Sequence, residues 1–159
     1  MGPVSADLGI DVPRETAFEY IGDLANRSAF TDHFIDGLRL LRTESTGVGA
    51  GARFRFHAPP QAIWMDTTIT ELEAPHRISE RGRGGRFNRI PSATEWELLS
   101  GPGPLTTVRV TYWTEPENSL DRLKDALGGA SVWYSRDWAM ALRRLRDRLE
   151  NAANKLPSA

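Results

Sequence analysis

The chain has 159 residues, 40% of them hydrophobic, with 20 Lys plus Arg against 21 Asp plus Glu and a formal net charge of -1. One domain of that size buries on the order of 70% of its unfolded surface, enough for a core with a cavity in it, and a field so close to neutral gives no electrostatic reason to expect nucleic acid. Cysteine is absent, which excludes disulfides, thiolate metal sites and a cysteine nucleophile; without an apolar run near the roughly 18 residues of a membrane span, or a basic-then-apolar leader, a cytoplasmic location with no membrane span is expected.

Taken in chain order, Val4, Ala6, Leu8, Ile10 and Val12 alternate with Ser5, Asp7, Gly9 and Asp11, the pattern of a half-buried strand. Pro13 suits a first helical position, and Ala17, Ile21, Leu24 and Ala25 recur at helical spacing beside Phe18, which predicts a helix of about three turns. Phe30 and Phe34 lie four residues apart ahead of Asp36-Gly37, so a second short helix that stops there is expected. From Leu38 to Glu115 the period falls to two, in runs near 38–45, 52–58, 62–73, 77–83, 86–99 and 105–115. The separators are rich in turn formers: the glycines of 47–51, Pro59-Pro60, Ala74-Pro75-His76, Gly84-Gly85 and Gly101-Pro102-Gly103-Pro104. Six such strands with short connections predict an antiparallel meander. Leu120, Leu123 and Leu127 mark a short helical turn that Gly128-Gly129 breaks. Beyond it Tyr134, Trp138, Ala141, Leu142, Leu145, Leu149 and Ala152 form one stripe of a long amphipathic helix over 130–152. Residues 1–155 read as a single domain and 156–159 as a tail.

The glycines of "GVGAG" (47–51) resemble a phosphate-cradling loop. Such loops work by delivering phosphate to a helix N-terminus. Here Phe54, Phe56 and Ala58 alternate with Arg53, Arg55 and His57, so a strand follows and the phosphate reading has no physical basis. A loop requiring positive φ or close backbone approach is expected instead.

The succession of a first strand, "VPRETAFEYIGDLANRSAFTDHF", a Gly-Val-Gly-x-Gly-x-x-Phe strand entry, "ITELEAPHRISERG", a late strand and the terminal "ALRRLRDRLE" resembles the polyketide cyclase/dehydrase and lipid-transport proteins of the START-like (SRPBCC) superfamily over about residues 4–152. The resemblance implies an α+β helix-grip fold. In it a seven-stranded antiparallel sheet wraps around the long C-terminal helix, two short helices follow the first strand, and an apolar cavity lies between sheet and helix. One strand plus six, with a helix pair and a long helix, is also the count from periodicity.

Members of that superfamily range from carriers to cyclases, so the residues must distinguish activities. Alternation puts Phe54 and Phe56 on one face with Arg53 and Arg55 on the other, pairs Trp96 with Leu98, and aligns Val108, Val110 and Tyr112, with Trp138 and Leu142 facing them from the helix. Together with Phe30, Phe34 and Trp64 these are the expected ligand-contacting residues, although each aromatic reads equally well as ordinary core. Thr94 and Tyr112 could orient a ligand. Asp66, on the face of Trp64 and Thr68, is the first carboxylate to test, since burial there would raise its pKa. His33 reads first as a solvent-facing cap of the short helix and second as a residue at the cavity mouth. Asp66, Tyr112 and His33 are thus the thin set of catalytic candidates.

His33, His57 and His76 fall in different elements without an i, i+4 partner, so no metal site is predicted; no cofactor is predicted, and no serine sits in a nucleophile elbow. "RISERGRGGRFNR" (77–89) carries Arg77, Arg81, Arg83, Arg86 and Arg89 around Gly82, Gly84 and Gly85, and reads first as a solvated hairpin whose glycines make the turn. The helix arginines are expected to pair with Asp137, Asp147 and Glu150 along an exposed face. The leading expectation is binding of a small hydrophobic molecule, whether polyketide, aromatic or lipid-like, with 120–127 as a flap. The alternatives are a polyketide aromatase/cyclase and a protein- or RNA-interaction module using the arginine hairpin 77–89; a homodimer stays open.

Overall fold

The structure, a computed structural model, describes residues 2–58, 61–115 and 130–155. The turn expected at 120–127 and the glycines that follow it lie outside the described residues. Strand β1 (Val4–Asp11) leads into helix α1 (Arg14–Gly22), a 3-10 turn at Leu24–Asn26 and the short helix α2 (Ser28–Thr31). Six strands come next: β2 (Ile35–Leu40), β3 (Gly51–Ala58), β4 (Gln61–Glu73), β5 (Arg77–Gly84), β6 (Ile90–Ser100) and β7 (Leu105–Thr114). Helix α3 (Ala130–Asn154) completes the described chain.

The seven strands form one sheet in the order β1-β7-β6-β5-β4-β3-β2, with every neighbouring pair antiparallel. The concave face is apolar because alternation survives through most of each strand. Ala52, Phe54 and Phe56 of β3, Trp96 and Leu98 of β6, and Val108, Val110 and Tyr112 of β7 are all buried. Helix α3 lays Tyr134, Trp138, Ala141, Leu142, Leu145 and Leu149 against that face, and the stripe fades at Ala152, which is exposed. The helix-grip expectation therefore holds in strand count, direction and layering.

Two local departures have identifiable causes. Asp36-Gly37 is not a helix stop: it lies within β2, where Gly37 takes φ +61 and the register with β3 shifts between Asp36 and Arg39. The strand expected from residue 86 begins at Ile90, because 86–88 form a 3-10 turn with Phe87 (φ 64) and Asn88 (φ 52) in left-handed backbone. The loop before β3 behaves as expected, with Gly47 (φ 86) and Gly49 (φ 93) in the region that disfavours side chains.

The glycines of 82–85 do not together make a turn. Gly82 and Gly84 lie inside β5, and only Gly85 (φ 73) belongs to the turn. A Cβ on Gly82 would fall on the Asp66 carbonyl and 2.9 Å from Ser92 Oγ, while one on Gly84 would fall on Met65 Sδ. Neighbouring strands, rather than loop flexibility, require the missing side chains. Gly82→Ala is therefore expected to destabilise the fold by about 2–3 kcal/mol, the cost of overpacking against backbone. Urea denaturation measures it, and a change under about 0.5 kcal/mol, the scale of an inert surface substitution, would contradict the close approach.

Candidate functional site

The interface between the concave sheet and α3 is built from touching rings. Trp138 meets Phe34 at 5.1 Å, Trp96 at 5.6 Å and Tyr112 at 6.1 Å between ring centroids. Phe56 adds contacts to Phe34 at 5.2 Å, Tyr134 at 5.1 Å and Tyr112 at 5.5 Å. Most of these pairs are edge-on or tilted, the arrangements that the ring quadrupole favours by about 0.5–1.5 kcal/mol each beyond burial. Phe30 joins through Trp96 at 6.2 Å, Phe54 through Phe56 at 6.3 Å, and Leu142 is buried on the same face of α3. Eight of the nine expected ligand-contacting residues thus share one core: Phe30, Phe34, Phe54, Phe56, Trp96, Tyr112, Trp138 and Leu142.

Trp64 does not join them. It is 43% exposed on the outer face, where the Arg53 guanidinium lies 5.7 Å from its ring. Asp66 is outside with it and pairs with Arg53 at 3.5 Å. The reason is a bulge: the β4–β5 register shifts between Ile69 and Glu71. Before it the inward residues are Met65, Thr67 and Ile69; after it Leu72 packs on the core. Alternation counted back from Leu72 through the bulge assigns Trp64 and Asp66 to the wrong face.

The buried carboxylate is Glu80, which is 1% exposed. Its Oε1 accepts from Arg27 Nη2 at 2.5 Å and from Trp96 Nε1 at 2.9 Å; its Oε2 accepts from Thr67 Oγ1 at 3.0 Å and Arg27 Nη1 at 3.3 Å. Four donors occupy the roughly four lone-pair sites of a carboxylate. Arg27, itself 4% exposed, also lies 5.0 Å from the Trp96 ring centroid. The local sequence explains the geometry: Leu24, Arg27 and Thr31 fall on one side of the turn leading into α2, and all three are buried. Glu80 was legible in the sequence, since Ile78 points inward and Glu80 is two residues on. Arg27 carried no such signal.

His33 is not a solvent-facing cap. It is half-buried, lies 4.7 Å from the Phe34 ring, and its Nε2 stands 3.0 Å from the backbone oxygen of Asp137 on α3. Other contacts also strap α2 to α3: Arg144 pairs with Asp32, and Arg148 Nε donates to the Ala29 oxygen at 3.0 Å. These arginines reach across to α2 instead of along their own helix as expected; the exception is Arg146, paired with the adjacent Asp147 at 2.9 Å. Burial pushes the Asp137 carboxyl above its ordinary value against the opposing pull of His33 and Arg136. Three unpartnered nitrogens remain in this core among the described residues: Arg27 Nε, His33 Nδ1 and Trp138 Nε1.

The outer face carries a different chemistry. Asp36 takes Arg55 Nε at 2.8 Å, Arg55 Nη2 at 2.7 Å and His57 Nε2 at 2.7 Å. Arg81 covers Trp113 at 5.1 Å, Arg89 lies 5.2 Å from Phe87, and Arg77 pairs with Glu73 at 2.5 Å and Glu95 at 3.3 Å. Arg77 and Arg81 are therefore engaged by neighbours on the sheet, and Arg89 by a ring of the turn beside it. Among the described residues no group of three His, Asp or Glu side chains is arranged to hold a metal, and no helix is long and apolar enough to cross a membrane. A groove of about 590 Å³ between α1 and the end of α3 is lined by Val12, Tyr20, Leu149 and Ala152 among others, outside the aromatic core.

Removing Arg27 would strand a buried charge. Arg27→Met is expected to cost about 3–5 kcal/mol, and adding Glu80→Leu to recover most of it, because a buried pair replaced by apolar groups is close to neutral. Urea denaturation of both variants checks this; equal destabilisation by single and double variants would contradict it. A second expectation concerns acid. Hydrogen bonds from Arg55 and then His57 lower the Asp36 carboxyl from its ordinary 3.8 to about 2. A depressed carboxyl contributes stability that is complete above the unfolded value and lost as pH falls through the folded one. The stability gap between the protein and Asp36→Asn should be present in full near pH 5 and close between roughly pH 4 and 2. Denaturation midpoints across pH measure it, and a gap unchanged at pH 2 would rule it out.

Residues 1–150 match the family model described as polyketide cyclase / dehydrase and lipid transport. Among curated proteins none matches the chain. Solved structures similar to it include the aromatase/cyclase Zhui from Streptomyces sp. R1128, with a TM-score of 0.75 at 12% identity covering 99% of each chain. A protein of Thermus thermophilus is similar with a TM-score of 0.72 at 18% identity, over 95% of this chain and 99% of that one. A START superfamily protein from Mycobacterium smegmatis aligns with a TM-score of 0.66 at 14% identity, over 94% of this chain and 98% of that one. At such identities the structures speak for the fold, and with the family model matched over residues 1–150 the chain belongs to the polyketide cyclase / dehydrase and lipid transport family.

Proposed function

We propose that the protein binds a small, predominantly aromatic ligand between the concave sheet and α3. The observation that carries this reading is the ring cluster of Phe34, Phe56, Trp96, Tyr112, Tyr134 and Trp138, bordered by buried nitrogens that have no partner among the described residues. Binding sites are mostly apolar with a few placed polar groups, and this interface has that composition. A flat ring can replace ring–ring contacts at little cost, since edge and stacked geometries lie close in energy. Two of the rings stand on the first turns of α3, so a small displacement of that end of the helix would admit a guest.

The aromatase/cyclase alternative has less support from the residues. Glu80, the buried carboxylate, is saturated by four donors and offers no free lone pair for proton transfer. Asp66 is on the outer face. Binding without turnover is the reading that these two positions favour. The interaction-module alternative also loses ground, because Arg77 and Arg81 are already engaged by Glu73 and the Trp113 ring on the sheet.

Tryptophan fluorescence titrated with an anthraquinone and, separately, a saturated fatty acid should change saturably, and more strongly with the anthraquinone. Trp138→Ala should weaken the anthraquinone by at least about tenfold, the effect of losing one buried aromatic contact of about 1.4 kcal/mol or more. No saturable response to either ligand would refute the proposal.

A further inference from the structure

The groove of about 590 Å³ between α1 and the end of α3 lies apart from the ring cluster, and each of its walls is one helical face. Thr16, Glu19 and Tyr20 on α1, and Leu149, Ala152 and Ala153 on α3, line it at i, i+3, i+4 spacing. Leu145 and Leu149 fill the space beneath α3, but the stripe then continues with alanines, and Ala152 is exposed. Two methyl groups therefore stand where larger side chains would close the gap to α1. The volume falls within the roughly 300–1,000 Å³ of small-molecule sites, and aliphatic carbon dominates the α3 wall.

Its electrostatics have one sign. Among the described residues no Lys, Arg or His lines the groove, and Glu19, its one charged residue, is exposed and makes no ion pair. Asn26 donates its amide to the Tyr20 backbone oxygen at 3.2 Å, which leaves its own carbonyl oxygen as a spare acceptor on the α1 side. Position adds to this. Glu19 and Tyr20 belong to the last turn of α1, Ala152 and Ala153 to the last turn of α3, and neither turn carries a basic residue. The C-terminal turn of a helix has a partial negative charge of roughly half an elementary charge, which a cation stabilises. Lys155 follows α3 but is not one of the lining residues. One carboxylate and two helix ends thus set a negative potential beside an apolar groove.

We propose that this groove is a second binding site, for an aliphatic amine: the hydrocarbon chain lies against Leu149, Ala152 and Ala153, and the ammonium, charged at neutral pH as a lysine side chain is, meets Glu19. A carboxylate of the same length is repelled by the groups that hold the ammonium. An alcohol keeps the apolar contact and lacks the charge. The site is separate from the interface of the sheet with α3 and does not depend on the aromatic-ligand reading.

The test titrates octylamine, 1-octanol and octanoate into the full chain at neutral pH and low salt, read by calorimetry. Octylamine should bind about three- to tenfold tighter than 1-octanol, the combined scale of an exposed ion pair and a helix terminus, with octanoate weakest. Salt near 1 M should shrink that preference to about twofold or less. Glu19→Gln should at least halve it. Ala152→Trp, at an exposed position, should weaken octylamine by about tenfold or more with the urea midpoint unchanged, because the indole fills the groove. The methyl NMR signals of Ala152 and Ala153 should shift with octylamine. Failure of octylamine to bind, octanoate binding as tightly, an affinity unmoved by Ala152→Trp, or alanine methyls indifferent to octylamine would each overturn the amine site. A dimer that Ala152→Trp dissociates would assign the groove to a second copy instead, and octylamine binding more tightly once residues 156–159 are removed would assign it to the chain's own end.

Discussion

A carboxylate removed from water must be matched by donors or it will not stay ionised inside a protein, and the interior of this fold is arranged around one such match. Glu80 stands on β5, Thr67 on the neighbouring β4, Trp96 on β6 on the other side, and Arg27 comes from the turn leading into α2. Their bonds to one carboxylate tie three consecutive strands to the helical segment that crosses the concave face. A one-residue slip of β5 would carry Glu80 to the outer face and set the Arg27 charge in apolar surroundings without a partner. The pair adds less to net stability than its bond count suggests, because desolvation consumes most of the gain; what it adds is a position for Trp96 and for the start of α2.

Position is what the aromatic cluster needs. Trp96 is held through its indole N–H to Glu80, and Trp138 packs edge-on against it. Phe34 reaches the Trp138 indole from the chain following α2, a segment fixed on one side by Arg27 and on the other by the strap to α3 through His33, Arg144 and Arg148. The rings of the sheet and those of α3 are therefore registered to one another through polar contacts at two levels. Apolar packing alone tolerates repacking at similar volume, whereas charge-assisted and carbonyl-directed hydrogen bonds select one arrangement.

The fold was legible in the sequence because both periods were clean. Ala52, Phe54 and Phe56 on β3, Trp96 and Leu98 on β6, and the stripe from Tyr134 to Leu149 on α3 all lie where a count of two or of 3.6 puts them. Errors arise where one residue is added to the count. The bulge near Thr70 sends Trp64 and Asp66 outward, and the irregularity at Gly37 turns an expected helix stop into part of a strand. A bulge has no side-chain signature of its own at Thr70, so alternation cannot announce it. Arg27 and the carbonyl partner of His33 were invisible for a different reason. Each depends on a contact far along the chain, 53 residues for Arg27 with Glu80 and 104 for His33 with Asp137, and local pattern holds no information about such contacts.

The two faces of the sheet use charge differently. Outside, Arg53, Arg55, Arg77 and Arg81 are met by Asp66, Asp36, Glu73 and the Trp113 ring, exposed pairs that water screens and that contribute little individually. Inside, the pair of Arg27 and Glu80 is shielded and consumes all the lone pairs of its carboxylate. The nitrogens that remain without partners inside, among the described residues, are consequently not remnants of a loosely satisfied network. Arg27 belongs to the pair whose carboxylate bonds are complete, and Arg27, His33 and Trp138 all have rings as neighbours. A buried polar atom left without a partner on a residue packed among rings is a cost that the chain's own bonds do not offset, and it is there that a group from outside the chain gains most by binding.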